Sequence, residues 1–296
     1  MSNKLFLKLF FILSILSAIV LFYLSYIGYS KDKLVIKSQA RVEKSKNSSK
    51  VVFIGDSSLE HGLDEKYFSK LVNKNVSNLA LTAGAHNLSG TFNMIRNVIK
   101  NNKNVEYIII MQNPSIWQSG FSEGGYCSTL DELTNDEVIE RNFMEKFGCF
   151  KYKYMNVKLI KKAIKGDKEK KNEIQKTYKN GLLDIYKELA DNEFINYQKI
   201  NSLKEKELEM IDDYLKNKNI KVLYVQGILH YELYLKYSEV INKQHELIKK
   251  LKNINFIEEY LYPSNENMGE TENHVDISYK LKSTEFYYSI LKDYIK

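Results

Sequence analysis

The stretch VVFIGDSSLEHGL, residues 51–63, is the most informative part of this chain. It opens with a short run of β-branched and aromatic residues, and the run ends abruptly at Gly55, Asp56 and Ser57. Such a run predicts a buried strand, and the glycine allows a sharp turn into a helix that would expose the serine hydroxyl. Gly, Asp and Ser are also common turn residues, so the tripeptide alone favours a plain polar turn. The rest of the chain decides between these interpretations.

On both sides of this stretch, short apolar runs alternate with amphipathic segments. This alternation predicts an α/β fold of three layers, α/β/α, around a mostly parallel sheet. Residues 105–111, VEYIIIM, are almost continuously apolar, as in a strand covered on both faces. The predicted strands are 51–54, 76–81, 105–111, 220–226 and 254–258, and the predicted helices include 65–72, 89–100 and 279–295. A charged helical insertion is expected at about 116–217.

The N-terminal residues differ from the rest of the chain in their long uncharged, apolar run. Residues 9–30 contain no charged side chain, and lysines lie on both sides of them. As a helix this stretch would be roughly 33 Å long, about one bilayer core. We interpret residues 1–30 as an uncleaved transmembrane anchor rather than a cleaved signal peptide, because the apolar run is long and no small-residue cleavage site precedes Lys31. Residues 31–49, polar and without apolar periodicity, are predicted to be a tether, and residues 50–296 the α/β domain.

The charge and cysteine content limit the possible partners. The formal net charge is +7, but lysines interleaved with acids along helices indicate a solvated face, so we expect no nucleic-acid partner. No CxxC motif or Cys/His cluster suggests a metal site. Cys127 and Cys149 could pair in an oxidising compartment or remain as two thiols, and the sequence leaves both open.

Polar residues follow the predicted strands at their carboxyl ends, where chemistry gathers in parallel sheets. Ser57 follows the first strand, Gly84 lies just after the second and Asn113 follows the third, while His274 precedes the last helix. Acyl transfer by a serine needs a base, donors for the developing oxyanion and a group that orients the base. His274 is the candidate base. The N–H groups of Ser57 and Gly84, with the amide of Asn113, are the candidate oxyanion hole.

At these residues the chain resembles the SGNH/GDSL hydrolase superfamily. Its first block is similar to Gly55-Asp56-Ser57, its second-block glycine to Gly84, its third-block asparagine to Asn113, and its last block to ENHVDISYK with His274. The resemblance covers about residues 51–295 apart from the insertion. It implies Ser57 as nucleophile and His274 as base.

One departure concerns the third member of the triad. Many members place an aspartate three residues before the histidine, where this chain has Thr271. Glu272 is the nearest acid and matches the acid-x-His spacing of some envelope O-acetyltransferases of the superfamily. Glu270, Asp276 or a Ser–His dyad are the alternatives.

Other candidates have plainer interpretations beside the functional one. Asn113 before Pro114 could cap the end of a strand, and Gly84 could be a loop glycine. Ser58 is an adjacent hydroxyl, and the resemblance favours Ser57. His86 and His230 follow strand ends, so either could bind substrate, although structural roles are commoner. His61 and His245 are expected to be structural.

Together these features predict a single-pass, membrane-anchored, extracytoplasmic serine esterase or O-acyltransferase that needs no cofactor. Its expected substrate is an acylated envelope polysaccharide or teichoic-acid-like polymer, and a membrane-bound acyl exporter is a possible partner by analogy of fold. The alternative is a catalytically degenerate module that binds an envelope glycan or an assembly partner.

Overall fold

A five-stranded parallel sheet forms the centre of the protein, in the order β2-β1-β3-β4-β5. The computed structural model describes residues 3–81, 90–118, 123–130, 143–165, 200, 202–269 and 271–296. The strands are β1 Val51–Gly55, β2 Val76–Ala80, β3 Tyr107–Gln112, β4 Lys221–Gln226 and β5 Asn255–Ile257. All five predicted strands are confirmed, with ends that move by one or two residues.

Helices cover both faces of this sheet, so the predicted three-layer α/β/α architecture is confirmed. Helices α2, α5, α9 and α10 share one apolar cluster with the sheet, and α3, α4 and α11 share the other. The helices are α1 Asn3–Ser30, α2 Lys33–Ser45, α3 Ser57–Gly62, α4 Glu65–Val72, α5 Gly90–Asn101, α6 Glu123–Ser128, α7 Phe143–Tyr154, α8 Val157–Lys165, α9 Ser202–Leu215, α10 Tyr231–Lys249 and α11 Lys280–Leu291. Short 3-10 helices occupy Pro114–Gln118 and Asn265–Asn267.

The strand sequences explain the two clusters. In β1, Val52 and Ile54 face one cluster while Val51 and Phe53 face the other, because successive side chains of a strand point to opposite faces. All four side chains are essentially inaccessible to solvent. The apolar run of β3 divides in the same way. A strand covered on both faces therefore needs apolar residues at every position, which is the pattern in the sequence.

The register brings the ends of three strands to one edge. Gly55 pairs with Ala80 of β2 and Met111 of β3, so β1, β2 and β3 end together. A Cβ on Gly55 would lie 1.8 Å from the carbonyl oxygen of Met111. Only glycine fits where the chain leaves β1 against β3, which fixes the direction of the turn into α3.

The stretch 31–49 holds a helix, and the expectation that it lacks apolar periodicity is wrong. Val35, Ser38, Val42 and Ser45 are buried on one face of α2, and Val42 belongs to the core cluster of β1 and β3. Two of these four buried residues are serines, so the buried face does not stand out as apolar in the sequence. The assignment of residues 31–49 to a tether outside the domain stays a prediction. The packing of α2 on the core argues against it.

Within the described part of the chain, α1 is the one helix long and apolar enough to cross a membrane. Its last turns pack against α7 and α8 of the insertion. Cys127 of α6 and Cys149 of α7 form a disulfide, which answers the question that the sequence left open. The described residues between 116 and 217 contain helices and no strand, as the prediction of a helical insertion requires.

Buried His245 makes stability depend on pH. Burial, reinforced by the positive charge of Lys249, lowers the pKa of His245 to about 4, and its Nε2 lies 2.8 Å from Oε1 of Gln226. Because the unfolded chain takes up this proton near its ordinary pKa of about 6.5, stability should fall as the pH drops from about 6.5 to about 4. At pH 5 the expected loss is about 2 kcal/mol.

His245→Gln keeps an N–H donor toward Gln226 and removes the titration. We expect a flatter dependence of the unfolding free energy on pH between 6.5 and 4 in this variant, measured by chemical denaturation of the full chain in detergent. Equal slopes for the two proteins would contradict the assignment.

Candidate active site

The site is organised around the buried carboxylate of Asp56. This residue caps α3, and its Oδ1 accepts hydrogen bonds from the backbone N–H of Ser58 at 2.8 Å and from Ser58 Oγ at 2.6 Å. Its Oδ2 accepts the backbone N–H of Asn113 at 2.7 Å. One carboxylate therefore joins the end of β1, the start of α3 and the end of β3.

The end of β4 closes against the same group of residues. A Cβ on Gly227 would lie 2.2 Å from Ser58 Oγ and 2.8 Å from the backbone nitrogen of Asn113. The N–H of Gly227 also donates to the carbonyl of Gln112 at 2.7 Å. Glycine at this position allows the ends of β3 and β4 to pack directly behind the serine pair.

The two adjacent serines have different environments. The Ser58 side chain is 0% exposed and its hydroxyl is bonded to Asp56. Ser57, the first residue of α3, is half-buried. Ser57 is therefore the hydroxyl at the surface of the sheet edge, and Ser58 is part of the structure behind it.

The loop before α11 brings the last sequence block to Ser57. The side-chain amide of Asn273 donates to Ser57 Oγ at 3.5 Å. The next residue, His274, stacks its ring on His61 with centroids 3.8 Å apart and planes 15° from parallel. His61 lies one helical turn after Ser57 on α3. Residues near the two ends of the domain thus meet at one edge of the sheet.

Thr271 occupies the position where the resembling superfamily often has an aspartate. Its hydroxyl donates to Oδ1 of Asn273 at 2.8 Å. An amide whose oxygen is held in this way presents its nitrogen in the opposite direction, toward Ser57. Thr271 orients a neighbour of the nucleophile candidate and supplies no charge.

Of the described candidate acids, Glu272 is the one whose pKa responds to the charge of His274. Burial raises its pKa, while its own backbone N–H and the charge of His274 act in the opposite direction. Asp276 accepts hydrogen bonds from the hydroxyl and N–H of Ser278, which lower its pKa, so its carboxylate is engaged in the turn that follows. Glu270 lies outside the described residues. The role of Glu272 as third member of the triad stays a prediction.

Asn113 is fully buried and links two strand ends. Its side-chain nitrogen donates to the carbonyl of Ile228, and its Oδ1 accepts the N–H of Ser115 at 2.9 Å. These are the contacts of a residue that caps the end of β3, the plainer interpretation given above. Its role in the oxyanion hole stays a prediction, as does that of Gly84, which lies outside the described residues.

His230 has contacts that favour a structural role. Its Nδ1 accepts the N–H of Glu232 at 3.3 Å, and its Nε2 is bonded to Oδ1 of Asn265. Its backbone N–H donates to the carbonyl of Glu272 at 2.8 Å. Both ring nitrogens hold protein groups, so the predicted contact with substrate has no support here. His86 lies outside the described residues.

Sequence reasoning missed two residues of this cluster. These are Asn273, which the sequence motifs do not single out, and His61, for which the sequence favours a structural role. The spacing of His61, four residues after Ser57 on a helix, places both on one face and could have been used. Nothing in the sequence alone indicates that Asn273 reaches Ser57.

Comparisons with known proteins find distant similarity in structure. No protein-family model matches the chain, and no curated protein sequence matches it. A solved structure from Streptococcus pneumonia, assigned provisionally as a platelet activating factor, is similar with a TM-score of 0.42 and 11% identity over 89% of this chain and 94% of that one. An acetyl xylan esterase from the rumen bacterium Butyrivibrio proteoclasticus is similar with a TM-score of 0.34 and 15% sequence identity, over 84% of this chain and 64% of that one.

Asp56→Asn should destabilise the fold more than a matched change elsewhere. An asparagine at this position would set its own N–H groups against those of Ser58 or Asn113, and one lost buried hydrogen bond costs about 1–3 kcal/mol. Asp64 caps α4 and accepts the N–H of Tyr67 at 2.8 Å. Because asparagine caps as well as aspartate, Asp64→Asn should change stability by less than about 0.5 kcal/mol. Equal losses in chemical denaturation would contradict the central role of Asp56.

Thr271→Val and Asn273→Ala test the orientation of the Ser57 hydroxyl. We expect Asn273→Ala to slow the reaction of Ser57 with a fluorophosphonate about tenfold and Thr271→Val somewhat less, as the loss of one hydrogen bond implies. The double variant should react no more slowly than Asn273→Ala, because Thr271 acts through Asn273. Ser264→Ala, in the same loop, is the control. Effects that multiply in the double variant would argue against this arrangement.

Proposed function

We propose that this protein is a serine esterase or O-acyltransferase whose nucleophile is Ser57 and whose general base is His274. The observation that carries the proposal is the meeting of the two sequence blocks at one edge of the sheet. There Asn273 contacts Ser57, and His274 stacks on His61 of the same helix. The partly exposed Ser57 beside its buried neighbour supports the choice of nucleophile.

In the proposed reaction, Ser57 Oγ attacks the carbonyl carbon of an acyl ester while His274 takes the hydroxyl proton. The negative oxygen of the tetrahedral intermediate would be held by the N–H groups of Ser57 and Gly84 and by Asn113. The intermediate collapses as the alcohol leaves with the proton from His274. Water or a sugar hydroxyl then attacks the acyl-enzyme and loses its proton to His274. The second tetrahedral intermediate collapses as its bond to Ser57 Oγ breaks, and Oγ takes the proton back from His274.

Glu272 would orient His274 and stabilise the positive charge of the imidazolium that forms during the reaction. A partly buried carboxylate gains more from a nearby positive charge than an exposed one does. Its interaction with His274, which opposes the effect of burial on its pKa, supports this role.

The proposed location is the outer face of a cell membrane. Helix α1 is long and apolar enough to span a bilayer, and a signal sequence would have these properties too. Packing of the last turns of α1 on α8 supports retention of the helix, because its removal would uncover that face. The disulfide between Cys127 and Cys149 supports an oxidising compartment. The proposed substrates are acyl esters of an envelope polysaccharide or teichoic-acid-like polymer, and a membrane-bound acyl exporter is the proposed partner.

A second candidate function is binding of an envelope glycan without catalysis. Two observations favour it: the amide of Asn113 holds the carbonyl of Ile228, and a threonine stands in the usual position of the triad aspartate. The two candidates differ in whether Ser57 is reactive.

Labelling of the full chain with a fluorophosphonate probe tests the enzyme proposal. The wild type should label, Ser57→Ala should lose all labelling, and His274→Ala should lose at least about 100-fold in rate, since both groups act in the same step. Ser278→Ala, an exposed serine near the site, should label like the wild type. Labelling that persists in Ser57→Ala would disprove the nucleophile, and a wild type that never labels would favour the binding module.

A further inference from the structure

We propose that the edge of the sheet that carries Ser57 faces a lipid bilayer, held there by a second membrane contact at the junction of α7 and α8. The inference rests on the proposed anchor α1 and adds an orientation and a contact surface to it. The occupant of this surface is the headgroup layer of a membrane that contains anionic lipids.

The chain enters the domain from the side of the serine edge. Along α2, Arg41 Nε donates to the carbonyl of Ala80 at the end of β2, and Lys44 Nζ donates to the carbonyl of Asn78 further back. The hydroxyl of Ser49 then contacts that of Ser77, near the start of β2. Helix α2 therefore runs antiparallel to β2, and its first residues lie beyond the carboxyl ends of the strands. Helix α1 joins the protein on that side.

The junction of α7 and α8 lies level with the last turns of α1. The ring of Tyr154 stacks on Tyr26 with centroids 5.9 Å apart, and that of Phe150 approaches Phe22 at 6.4 Å. The buried hydroxyl of Ser25 donates to the carbonyl of Lys153 at 3.1 Å and accepts the backbone N–H of Asn156 at 3.0 Å.

Close backbone packing fixes α8 against α1. A Cβ on Gly28 would lie 2.1 Å from the carbonyl oxygen of Leu159. Further along, Lys162 pairs with Asp32 at 3.1 Å. Helices α1 and α8 thus run side by side in the same direction. The start of α8, at the junction with α7, therefore points toward the membrane-spanning part of α1.

Apolar side chains at the junction are exposed to solvent. The exposed fractions are 46% for Phe150, 44% for Met155 and 63% for Val157. On α1, Tyr23 and Tyr26 are exposed at the same level. Aromatic and aliphatic side chains in this arrangement are typical of the boundary between headgroups and acyl chains.

The charge of the junction fits an anionic surface. Residues 149–165 contain six lysines and no acidic residue. Lys151, Lys158 and Lys161 are exposed. Basic residues beside a membrane helix are attracted to anionic headgroups.

The two edges of the sheet differ in the side chains that they expose to solvent. At the serine edge, exposed apolar side chains lie at the start of α10 and around the start of α11, namely Tyr231, Leu235, Ile277 and Leu281. Of these, Ile277 is 86% exposed and follows His274 by three residues. The opposite edge has a shallow cavity lined mostly by lysines and asparagines. Lysines occur in both regions, so charge does not separate the two edges; exposed apolar side chains such as Ile277 and Leu281 suit the serine edge to lie near lipid.

This orientation narrows the proposed substrate class. A serine that faces the bilayer would meet acyl esters held close to the membrane surface, such as those of a polymer that is still attached to lipid. Polymer far out in the envelope would reach the site less readily.

Energy transfer to the membrane surface tests the orientation. A clickable phenylalanine analogue replaces either Ile277 at the serine edge or Lys103, an exposed residue in the cavity at the opposite edge. Each full-length protein is labelled with one dye and placed in anionic nanodiscs that carry an acceptor dye on lipid headgroups. The strands alone separate the two edges by roughly 15–20 Å. We expect transfer from position 277 to be at least twofold more efficient than from position 103, and equal or reversed efficiencies would overturn the orientation.

Val157→Asp tests the second contact. An aspartate suits the first turn of a helix, so α8 should keep its fold, while the charge opposes insertion into the headgroup layer. Transfer from position 277 should fall to about half. Met210→Asp, at an exposed apolar residue of α9, is the matched control and should leave it unchanged. Equal transfer in Val157→Asp and the wild type would overturn the contact.

Two readouts on the same samples separate this inference from the proposed function. Flotation with proteoliposomes reports the anchor, and fluorophosphonate labelling reports Ser57. Chains that float and label but transfer energy equally from both edges disprove the orientation alone. Chains that label without floating disprove the anchor.

Discussion

The carboxylate of Asp56 is the constraint on which the candidate site depends. It is buried, and it accepts hydrogen bonds from the start of α3 and the end of β3. A buried carboxylate is costly unless donors satisfy it, so the three groups that contact it are held in fixed positions. The serine pair, the turn out of β1 and the end of β3 therefore behave as one rigid unit.

Small residues make this unit possible. Gly55 lets β1 turn against the carbonyl of Met111, and Gly227 lets the end of β4 approach Ser58 and the backbone of Asn113. With any side chain at either position, the strand ends would separate and the hydrogen bonds to Asp56 would lengthen. The glycines are needed because four elements converge on one carboxylate.

The remaining part of the site comes from the other end of the domain. The loop before α11 places Asn273 on Ser57 and His274 on His61, and Thr271 holds the amide of Asn273. A neutral hydrogen-bonded residue thus stands where a charged one is common in the resembling superfamily. Of the described candidate acids, Glu272 is the one whose pKa responds to the charge of His274, and burial raises that pKa. In the proposed mechanism this carboxylate stabilises the charged imidazole.

The layers, the five strands and the edge at which the polar residues collect follow from the sequence alone. Continuous apolar runs and the change between strand and helix periodicity are patterns within short segments of the chain. The sequence also predicted that the turn of Ser57 and the loop of His274 would meet at one edge; the structure places Asn273 against Ser57 and His274 against His61 there. The folded chain was needed to show that α2 is a packed helix, that Asn113 caps a strand end, that Asn273 and His61 join the cluster and that the two cysteines pair. Each of these depends on contacts between residues distant in the chain, and such contacts leave no periodic pattern in the sequence.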